Sequence, residues 1–203
     1  MRVTLQNVSK AFGRETVVKS LDRTFEPGSR TAVLGPNGSG KSTLLQLAAG
    51  ALMPSGGAVI HEHNGRRIDQ DEVYRLVSMA TPYMALYEEL SLREAIATHM
   101  GFKPLRQRTT LTDLARVALL DRHMEKPVRN FSSGMKQRLK LTLAILSDTP
   151  LLLLDEPTTN LDATGIAWFR ELLQQHVDGR TLLVASNRLE EETFACTASV
   201  SMG

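Results

Sequence analysis

Gly35-Pro36-Asn37-Gly38-Ser39-Gly40-Lys41-Ser42-Thr43 is the stretch of sequence that decides the fold. It fits the pattern G-x-x-x-x-G-K-[ST], in which a glycine-rich turn lets backbone N–H groups close around phosphate oxygens. In such a loop Lys41 reaches the β- and γ-phosphates of a nucleoside triphosphate, and Ser42 reaches Mg²⁺. The predicted binding residues are Gly35, Pro36, Asn37, Gly38, Ser39, Gly40, Lys41, Ser42 and Thr43.

The sequence on either side of this loop predicts a strand that enters it and a helix that leaves it. Residues 30–34 are typical of a short buried strand, residues 42–49 are typical of a helix, and Gly50 follows as a C-terminal stop. Phosphate would then lie on a helix N-terminus, where unpaired N–H groups and the helix dipole favour an anion. This context favours a nucleotide-binding loop over a purely structural glycine turn.

Four leucines followed by two acids predict a second part of the same site. Residues 151–157 read Leu-Leu-Leu-Leu-Asp-Glu-Pro, which is typical of a fully buried parallel strand whose carboxyl end faces a ligand. Asp155 is placed to hold Mg²⁺, and Glu156 is placed to polarise the water that attacks the γ-phosphate. The alternative is a strand followed by a solvated acidic turn, and the phosphate loop in the same chain disfavours it.

A third motif carries a family resemblance. Phe131-Ser132-Ser133-Gly134-Met135, followed by Lys136-Gln137-Arg138 and an apolar helical run, resembles the signature, usually Leu-Ser-Gly-Gly-Gln, of ABC (ATP-binding cassette) transporter ATP-binding subunits. In that family the signature contacts the γ-phosphate bound to the other subunit, so the resemblance implies that Ser132 and Gly134 act in trans. A serine hydroxyl and bare N–H groups at a helix N-terminus suit an anion, although the residues alone predict an ordinary helix cap.

The resemblance spans nearly the whole chain and gives two further expectations. Phe12 lies where the family has an aromatic side chain that stacks on adenine, and face-to-face stacking binds bases well. A lone phenylalanine is also typical of a core. The triplet Asn160-Leu161-Asp162 resembles the loop that couples the two sites across the family's dimer, and Asp162 also fits the N-cap of a helix over residues 163–176.

The chain departs from the family pattern at a position that contacts the γ-phosphate region. A glutamine is expected within residues 78–87, but this segment contains none, and Pro82 takes its place. The side chain of proline has no donor or acceptor, so the contact to water or Mg²⁺ is lost unless Thr81 or Tyr83 substitutes.

A second departure concerns the histidine that the family has after its last core strand, because here the position falls on Asn187. Asparagine can donate a hydrogen bond to phosphate but cannot carry charge. The predicted catalytic residues are therefore Glu156, Lys41 and Asn187, with Asp155 and Ser42 as the metal ligands. This set predicts slow or partner-dependent hydrolysis rather than an inactive site.

The resemblance implies an α/β fold, a P-loop NTPase of ABC type with a mostly parallel core sheet, an antiparallel β subdomain and an inserted helical subdomain. At 203 residues and 42% hydrophobic composition, the chain fits one such domain. We expect the core over residues 1–83 and 149–203 and the helical signature subdomain over about 84–148. Runs of β type precede the inserted region at residues 3–8, 17–25 and 58–61, and helical spacing within it covers residues 92–100, 111–120 and 135–146.

Partners and location follow from the resemblance and from what the sequence lacks. ATP and Mg²⁺ are the implied cofactors, and the implied partners are a second ABC ATPase subunit and multi-span membrane permease subunits contacted around residues 81–89. No stretch approaches ~18 uninterrupted apolar residues, and the N-terminus lacks a signal-peptide core, so we expect a cytoplasmic protein on the cytoplasmic face of the membrane. A net charge of +2 does not indicate nucleic acid as a partner.

Several alternatives stay open from the sequence. A soluble ABC ATPase acting on ribosomes or DNA usually has two cassettes or a long coiled-coil insertion, and neither occurs in this sequence. A slow nucleotide-dependent switch is favoured by Pro82 and Asn187. Cassettes that serve haem export for cytochrome c maturation resemble the chain in length, as a minor subtype. These motifs do not distinguish a homodimer from a heterodimer or import from export, and they do not identify the transported substrate.

Overall fold

The computed structural model describes residues 1–187 and 189–202, without the side chain of Arg108. This part of the chain forms two β-sheets and a set of helices. The strands are β1 (Arg2–Phe12), β2 (Glu15–Phe25), β3 (Arg30–Leu34), β4 (Gly56–His63), β5 (Arg66–Arg67), β6 (Val77–Ala80), β7 (Leu151–Asp155), β8 (Thr181–Ser186) and β9 (Ala198–Ser201). The helices are α1 (Lys41–Ala48), α2 (Val73–Leu76), α3 (Leu92–Phe102), α4 (Leu111–Val117), α5 (Ser133–Leu146), α6 (Ala163–His176) and α7 (Glu190–Thr193).

The five-stranded sheet positions the candidate site. Its strands are all parallel and follow the order β6-β7-β8-β3-β9. All residues of β7 and β8 are buried, as their continuous apolar sequence predicts for a parallel sheet covered on both faces. Asp155 pairs with Ala185, and Leu34 pairs with Ser186. The carboxyl ends of β7, β3 and β8 therefore meet at one edge of the sheet.

A separate antiparallel sheet has the order β2-β1-β4-β5. Its central strand β1 alternates between buried and accessible residues, so that Val3, Leu5 and Val8 face a core while their neighbours do not. These side chains share one hydrophobic cluster with leucines of α1 and with Leu153 of the parallel sheet. The two sheets thus pack around α1, and the predicted combination of a parallel core sheet with an antiparallel sheet is confirmed.

Helices α3, α4 and α5 lie between β6 and β7 in the sequence. Ser91 begins α3 and Thr110 begins α4, each with a capping box in which side chain and backbone satisfy one another. These helices share a second hydrophobic cluster with the other face of the parallel sheet. The limits of a helical subdomain at about 84–148 stay a prediction. None of the helices found in the described residues has the length and apolarity that crossing a bilayer requires.

Candidate nucleotide site

The glycine-rich loop joins β3 to α1 in a conformation that depends on glycine. Gly40 precedes α1 with φ 93°, in the left-handed region, and a Cβ atom there would lie 2.9 Å from Cγ1 of Val17. A Cβ atom on Gly35 would lie 2.5 Å from the Met202 carbonyl oxygen. The loop therefore delivers Lys41 and Ser42 to the first turn of α1, where backbone N–H groups have no helical acceptors.

A pocket of about 410 Å³ opens over this loop. It brings together most of the predicted loop residues with Glu156 from the end of β7, and it also includes Tyr83. The lining consists of Val17, Asn37, Gly38, Gly40, Lys41, Ser42, Thr43, Tyr83 and Glu156. A depression that shares Asn37 adds Gly35, Pro36 and Asn187. Ser39 lies in the same loop, with its N–H donating to the Pro36 carbonyl at 3.2 Å.

Lys41 is buried to 5% exposure, and its ammonium group makes three hydrogen bonds. It donates to the carbonyl oxygens of Gly35 at 2.9 Å and Pro36 at 3.0 Å, and to Oδ1 of Asn187 at 2.7 Å. An ammonium has three donors and no acceptor, so its hydrogen-bonding capacity is fully used. Phosphate oxygens bound in the pocket would replace these neutral acceptors with charged ones.

Asn187 links Lys41 to Glu156. Its Nδ2 atom donates to Oε1 of Glu156 at 3.1 Å while its Oδ1 atom accepts from Lys41. The two partners fix the orientation of the amide, because lysine only donates and a carboxylate only accepts. A neutral side chain therefore joins the phosphate-binding cation to the candidate base.

Glu156 itself has an unusual backbone. Its φ is 45°, which places a non-glycine residue in the left-handed region, and its N–H donates to the Ala185 carbonyl at 3.0 Å. Such conformations cost of order 1–3 kcal/mol and persist only where the surroundings hold them. The side chain is thereby directed from the end of β7 into the pocket over the loop.

Asp155, the last residue of β7, is 2% exposed and lies near the side chain of Ser42. Burial is the main cause that raises the pKa of this carboxyl, and the nearby Ser42 hydroxyl opposes the shift. Its Oδ2 atom has no hydrogen-bond partner among the described residues. A buried carboxylate oxygen without a partner, next to a hydroxyl, fits a hard cation such as Mg²⁺.

Residues 81–83 occupy the position of the expected glutamine. The ammonium of Lys140 on α5 donates to the carbonyls of Pro82 at 3.0 Å and Thr81 at 3.3 Å, which fixes the backbone. Tyr83 then lines the nucleotide pocket, whereas Pro82 is not part of its described lining. Of the two substitutes named from the sequence, Tyr83 is the one in the described lining of the pocket.

Phe12 ends β1 and is 51% exposed, so the interpretation as a core residue is wrong. The ammonium of Lys10 lies 5.1 Å from the centroid of its ring. Phe12 is outside the described lining of the phosphate pocket, and its stacking on adenine stays a prediction.

The signature residues lie at the start of α5. Oγ of Ser132 accepts from the N–H of Met135 at 3.2 Å, so this serine is an N-cap, as its sequence alone predicts. Gly134 packs closely on the loop after β7, where a Cβ atom would lie 3.1 Å from the Asn160 carbonyl oxygen. Neither Ser132 nor Gly134 is in the described lining of this chain's own phosphate pocket. Asp162 caps α6 through the N–H of Gly165 at 2.8 Å.

Two buried residues near the site were not identified from the sequence. Gln137 of α5 donates from Nε2 to the Pro157 carbonyl at 2.8 Å, and Glu192 of α7 accepts from Thr158. Gln137 lies two residues after the signature, and this position beside a motif was a signal that the sequence offered. Glu192 is the third of three consecutive glutamates, a pattern typical of a solvated helix face, so the sequence contained no signal for its burial.

Comparisons with known proteins agree with this geometry. Residues 18–159 match the family described as ABC transporter. The chain is 32% identical over 190 residues to the lantibiotic transport ATP-binding protein SrtF of Streptococcus pyogenes, covering 92% of this chain and 80% of that protein. It is 31% identical over 203 residues to the Nod factor export ATP-binding protein I of Rhizobium sp. (strain N33), covering 96% and 65%.

A solved structure described as the ATP binding subunit of an ABC transporter superposes with a TM-score of 0.85 at 26% identity. The superposition covers 100% of this chain and 86% of that one. The family match and the fold thus agree over the phosphate loop, β7 and the signature helix. The chain therefore belongs to the ABC transporter family, among its ATP-binding proteins.

Proposed function

We propose that the chain binds and hydrolyses ATP as a peripheral subunit of an ABC transporter, on the cytoplasmic face of a membrane whose permease subunits are separate polypeptides. The observation that carries this proposal is the hydrogen-bonded chain Lys41–Asn187–Glu156, which lies beside the phosphate loop. It places a phosphate-binding cation and a candidate base at one pocket. Relatives named for lantibiotic transport and Nod factor export support a role in transport.

In the proposed reaction, Lys41 exchanges its neutral acceptors for oxygens of the β- and γ-phosphates. Glu156 orients a water molecule and accepts its proton as the water oxygen attacks the γ-phosphorus. The bond between the γ-phosphorus and the oxygen that bridges it to the β-phosphate then breaks, which leaves ADP and phosphate. Ser42 and Asp155 would hold Mg²⁺, which supplies positive charge to the phosphates. Because Asn187 carries no charge and Pro82 offers no polar side chain, we expect hydrolysis to be slow or partner-dependent.

A second ABC ATPase subunit, identical or related, completes the proposed site. Ser132 and Gly134 would bind the γ-phosphate held by the partner's loop, since they start α5 away from their own chain's phosphate pocket. Phe12, exposed at the end of β1, would stack on the adenine ring. Closure of this dimer on ATP would then drive the permease.

The permease is proposed to dock in an apolar groove of about 460 Å³. Residues 84–87 form one wall, and α3 forms another. Its larger apolar lining residues include Tyr74, Met84, Leu86, Tyr87, Phe102 and Leu143. Tyr74, Tyr87 and Phe102 are exposed, so much of this surface lacks cover within the described chain.

Lys103 gives this groove a charge preference. It lies in the lining, and no carboxylate of the described residues lies within ion-pairing distance of it. Burial, followed by the positive charge of Arg180, lowers the pKa of Lys103, and a partner carboxylate would oppose both effects. The Lys103 ammonium already donates to the Val77 carbonyl, so the proposed partner is an apolar permease segment, and an acidic side chain beside Lys103 would add an ion pair.

Lys41→Ala is expected to weaken ATP binding by roughly 10- to 100-fold, because hydrogen bonds to charged groups contribute about 1.5–3 kcal/mol. Equilibrium binding of ATP to the purified chain measures this. Lys19→Ala is the matched control, because Lys19 is exposed on β2 and outside the pocket. Equal ATP affinity of the Lys41→Ala variant and the wild type would contradict the proposed role of the loop.

Phe102→Asp is expected to reduce copurification with the multi-span membrane protein by about tenfold or more, since a charge replaces an aromatic contact in the groove. The measurement is quantitative capture after gentle detergent extraction, with ATP binding determined in parallel. Leu119→Asp is the control, because Leu119 is also exposed but lies outside the groove. Capture of ribosomal proteins or nucleic acid in place of a membrane protein would support the soluble class instead.

A further inference from the structure

Glu192 is a buried carboxylate that the proposed reaction does not use. It lies on α7 in a run of three glutamates, of which Glu190 and Glu191 are exposed while Glu192 is 1% exposed. Removing a carboxylate from water is costly unless hydrogen bonds compensate for the lost solvation. The short helix α7 therefore buries the carboxylate of Glu192, although this group prefers water. The contacts of the carboxylate indicate its role.

Both side-chain hydrogen bonds of Glu192 in the described residues are with Thr158. Oε1 accepts from the Thr158 hydroxyl at 2.8 Å and from the Thr158 N–H at 3.3 Å, while Oε2 has no partner among the described residues. Thr158 is itself buried. One carboxylate oxygen thus fixes both the side chain and the backbone of this threonine.

Thr158 lies two residues after Glu156, on the loop that leaves β7. The left-handed backbone of Glu156 persists only if the surrounding structure holds it. The three residues that follow Glu156 each make a hydrogen bond that holds the loop. Gln137 binds the Pro157 carbonyl at 2.8 Å, and Glu192 binds Thr158. The N–H of Thr159 then donates to the Glu156 carbonyl at 3.1 Å, which closes the turn.

The same contact joins the segments that carry Glu156 and Asn187. Helix α7 follows Asn187 in the chain, and the N–H of Leu189 donates to Oγ of Ser186 at 3.1 Å, which ties the start of α7 to the end of β8. Glu192 then connects α7 to the loop after Glu156. The segments on both sides of the 3.1 Å hydrogen bond from Asn187 to Glu156 are thus held by further hydrogen bonds, from Leu189 to Ser186 and from Thr158 to Glu192.

We infer that Glu192 is a positioning residue for ATP hydrolysis: by holding Thr158 it sets the backbone at Glu156 and the approach of Glu156 to Asn187. This inference rests on the proposed function. Glu192 is outside the described lining of the nucleotide pocket, and its carboxylate bonds to Thr158, so its effect on the reaction would pass through the loop that carries Glu156. Its loss should therefore change the rate of hydrolysis and leave ATP affinity unchanged.

The test compares Glu192→Ala, Glu192→Gln and the exposed control Glu191→Ala in the full chain with its membrane partner. Thermal unfolding first identifies a temperature at which every variant is folded. We expect Glu192→Ala to lower kcat at least about tenfold with the ATP Kd within about twofold, because a misplaced base loses rate without losing substrate contacts. Glu192→Gln keeps an oxygen that accepts from Thr158 and should retain most of the rate.

A second comparison identifies the group through which Glu192 acts. In a Glu156→Gln background, Glu192→Ala should lower kcat no further, since effects of residues that act as a unit are not additive. A full tenfold further loss would overturn the inference. Thr158→Val removes the hydroxyl donor at nearly constant volume, so it tests the same contact if Glu192→Ala unfolds, and an unchanged kcat would then overturn the inference.

The outcomes separate this inference from the proposed function. Wild-type turnover that Glu192→Ala retains in full would overturn the positioning role alone. Wild-type turnover no faster than that of Glu156→Gln, with and without the membrane partner, would overturn the proposed hydrolysis and the positioning role with it. A loss of kcat in Glu192→Ala, rescued by Glu192→Gln, would support both.

Discussion

Glu156→Gln is expected to lower the rate of ATP hydrolysis by about two to four orders of magnitude, the range typical of removing a general base. Glutamine matches the size of glutamate and can accept a hydrogen bond from Asn187, but it cannot take a proton from water at neutral pH. ATP binding should persist, because the phosphate contacts of Lys41 do not depend on the lost charge. Phosphate release measures the rate, and retained ATP measures binding.

The control for Glu156→Gln is Glu191→Gln, which makes the same chemical change at an exposed position of α7. It should leave the rate of hydrolysis unchanged. Rates are measured in one series with the membrane partner and in another without it, because partner-dependent hydrolysis would raise the wild-type rate only in the complex. A Glu156→Gln rate within twofold of the wild-type rate in both series would exclude Glu156 as the base.

Gly134→Asp is expected to abolish ATP-dependent dimer formation and to lower hydrolysis by at least about 100-fold. The change puts a carboxylate at the N-terminus of α5, where the proposed site binds the partner's γ-phosphate, and like charges at close range repel strongly. Its Cβ atom would also lie 3.1 Å from the Asn160 carbonyl oxygen. Gly101→Asp is the control, because a Cβ atom there meets nothing within 4 Å.

Mixing two inactive variants tests whether the signature acts in trans. A dimer of one Lys41→Ala chain and one Gly134→Asp chain has one site with both defects and one site with neither. If Gly134 serves the partner's nucleotide, the mixture should regain hydrolysis that neither variant has alone. No recovery, under conditions in which mixed dimers form, would show that the signature serves its own chain.

The sequence predicts the parts of the site that are contiguous in the chain. The phosphate loop and the acidic end of β7 follow from local patterns, because loop backbone, strand burial and helix start depend on neighbouring residues. Element limits were less accurate. The helix predicted over residues 111–120 ends at Val117, because Leu119 adopts a left-handed backbone with φ 59° that helical spacing does not reveal.

Contacts between distant segments could not be predicted. The sequence shows only that Asn187 can donate to phosphate. In the structure its donor binds Glu156 and its acceptor binds Lys41, 146 residues away. Glu192 in the same region has a sequence environment of exposed acids, and only the packing of α7 against the loop after β7 buries it. Such pairings depend on tertiary structure, which the local pattern of a single sequence does not reveal.

The three acceptors around Lys41 have a consequence for ligand selection. A phosphate group that bound the Lys41 ammonium would compete with the Gly35 and Pro36 carbonyls and the Asn187 amide for its three donors. A triphosphate offers charged oxygens that compensate for this exchange, whereas a monophosphate does not reach the ammonium with its single group. Such competition would favour nucleotides with a longer phosphate chain over those with a single phosphate.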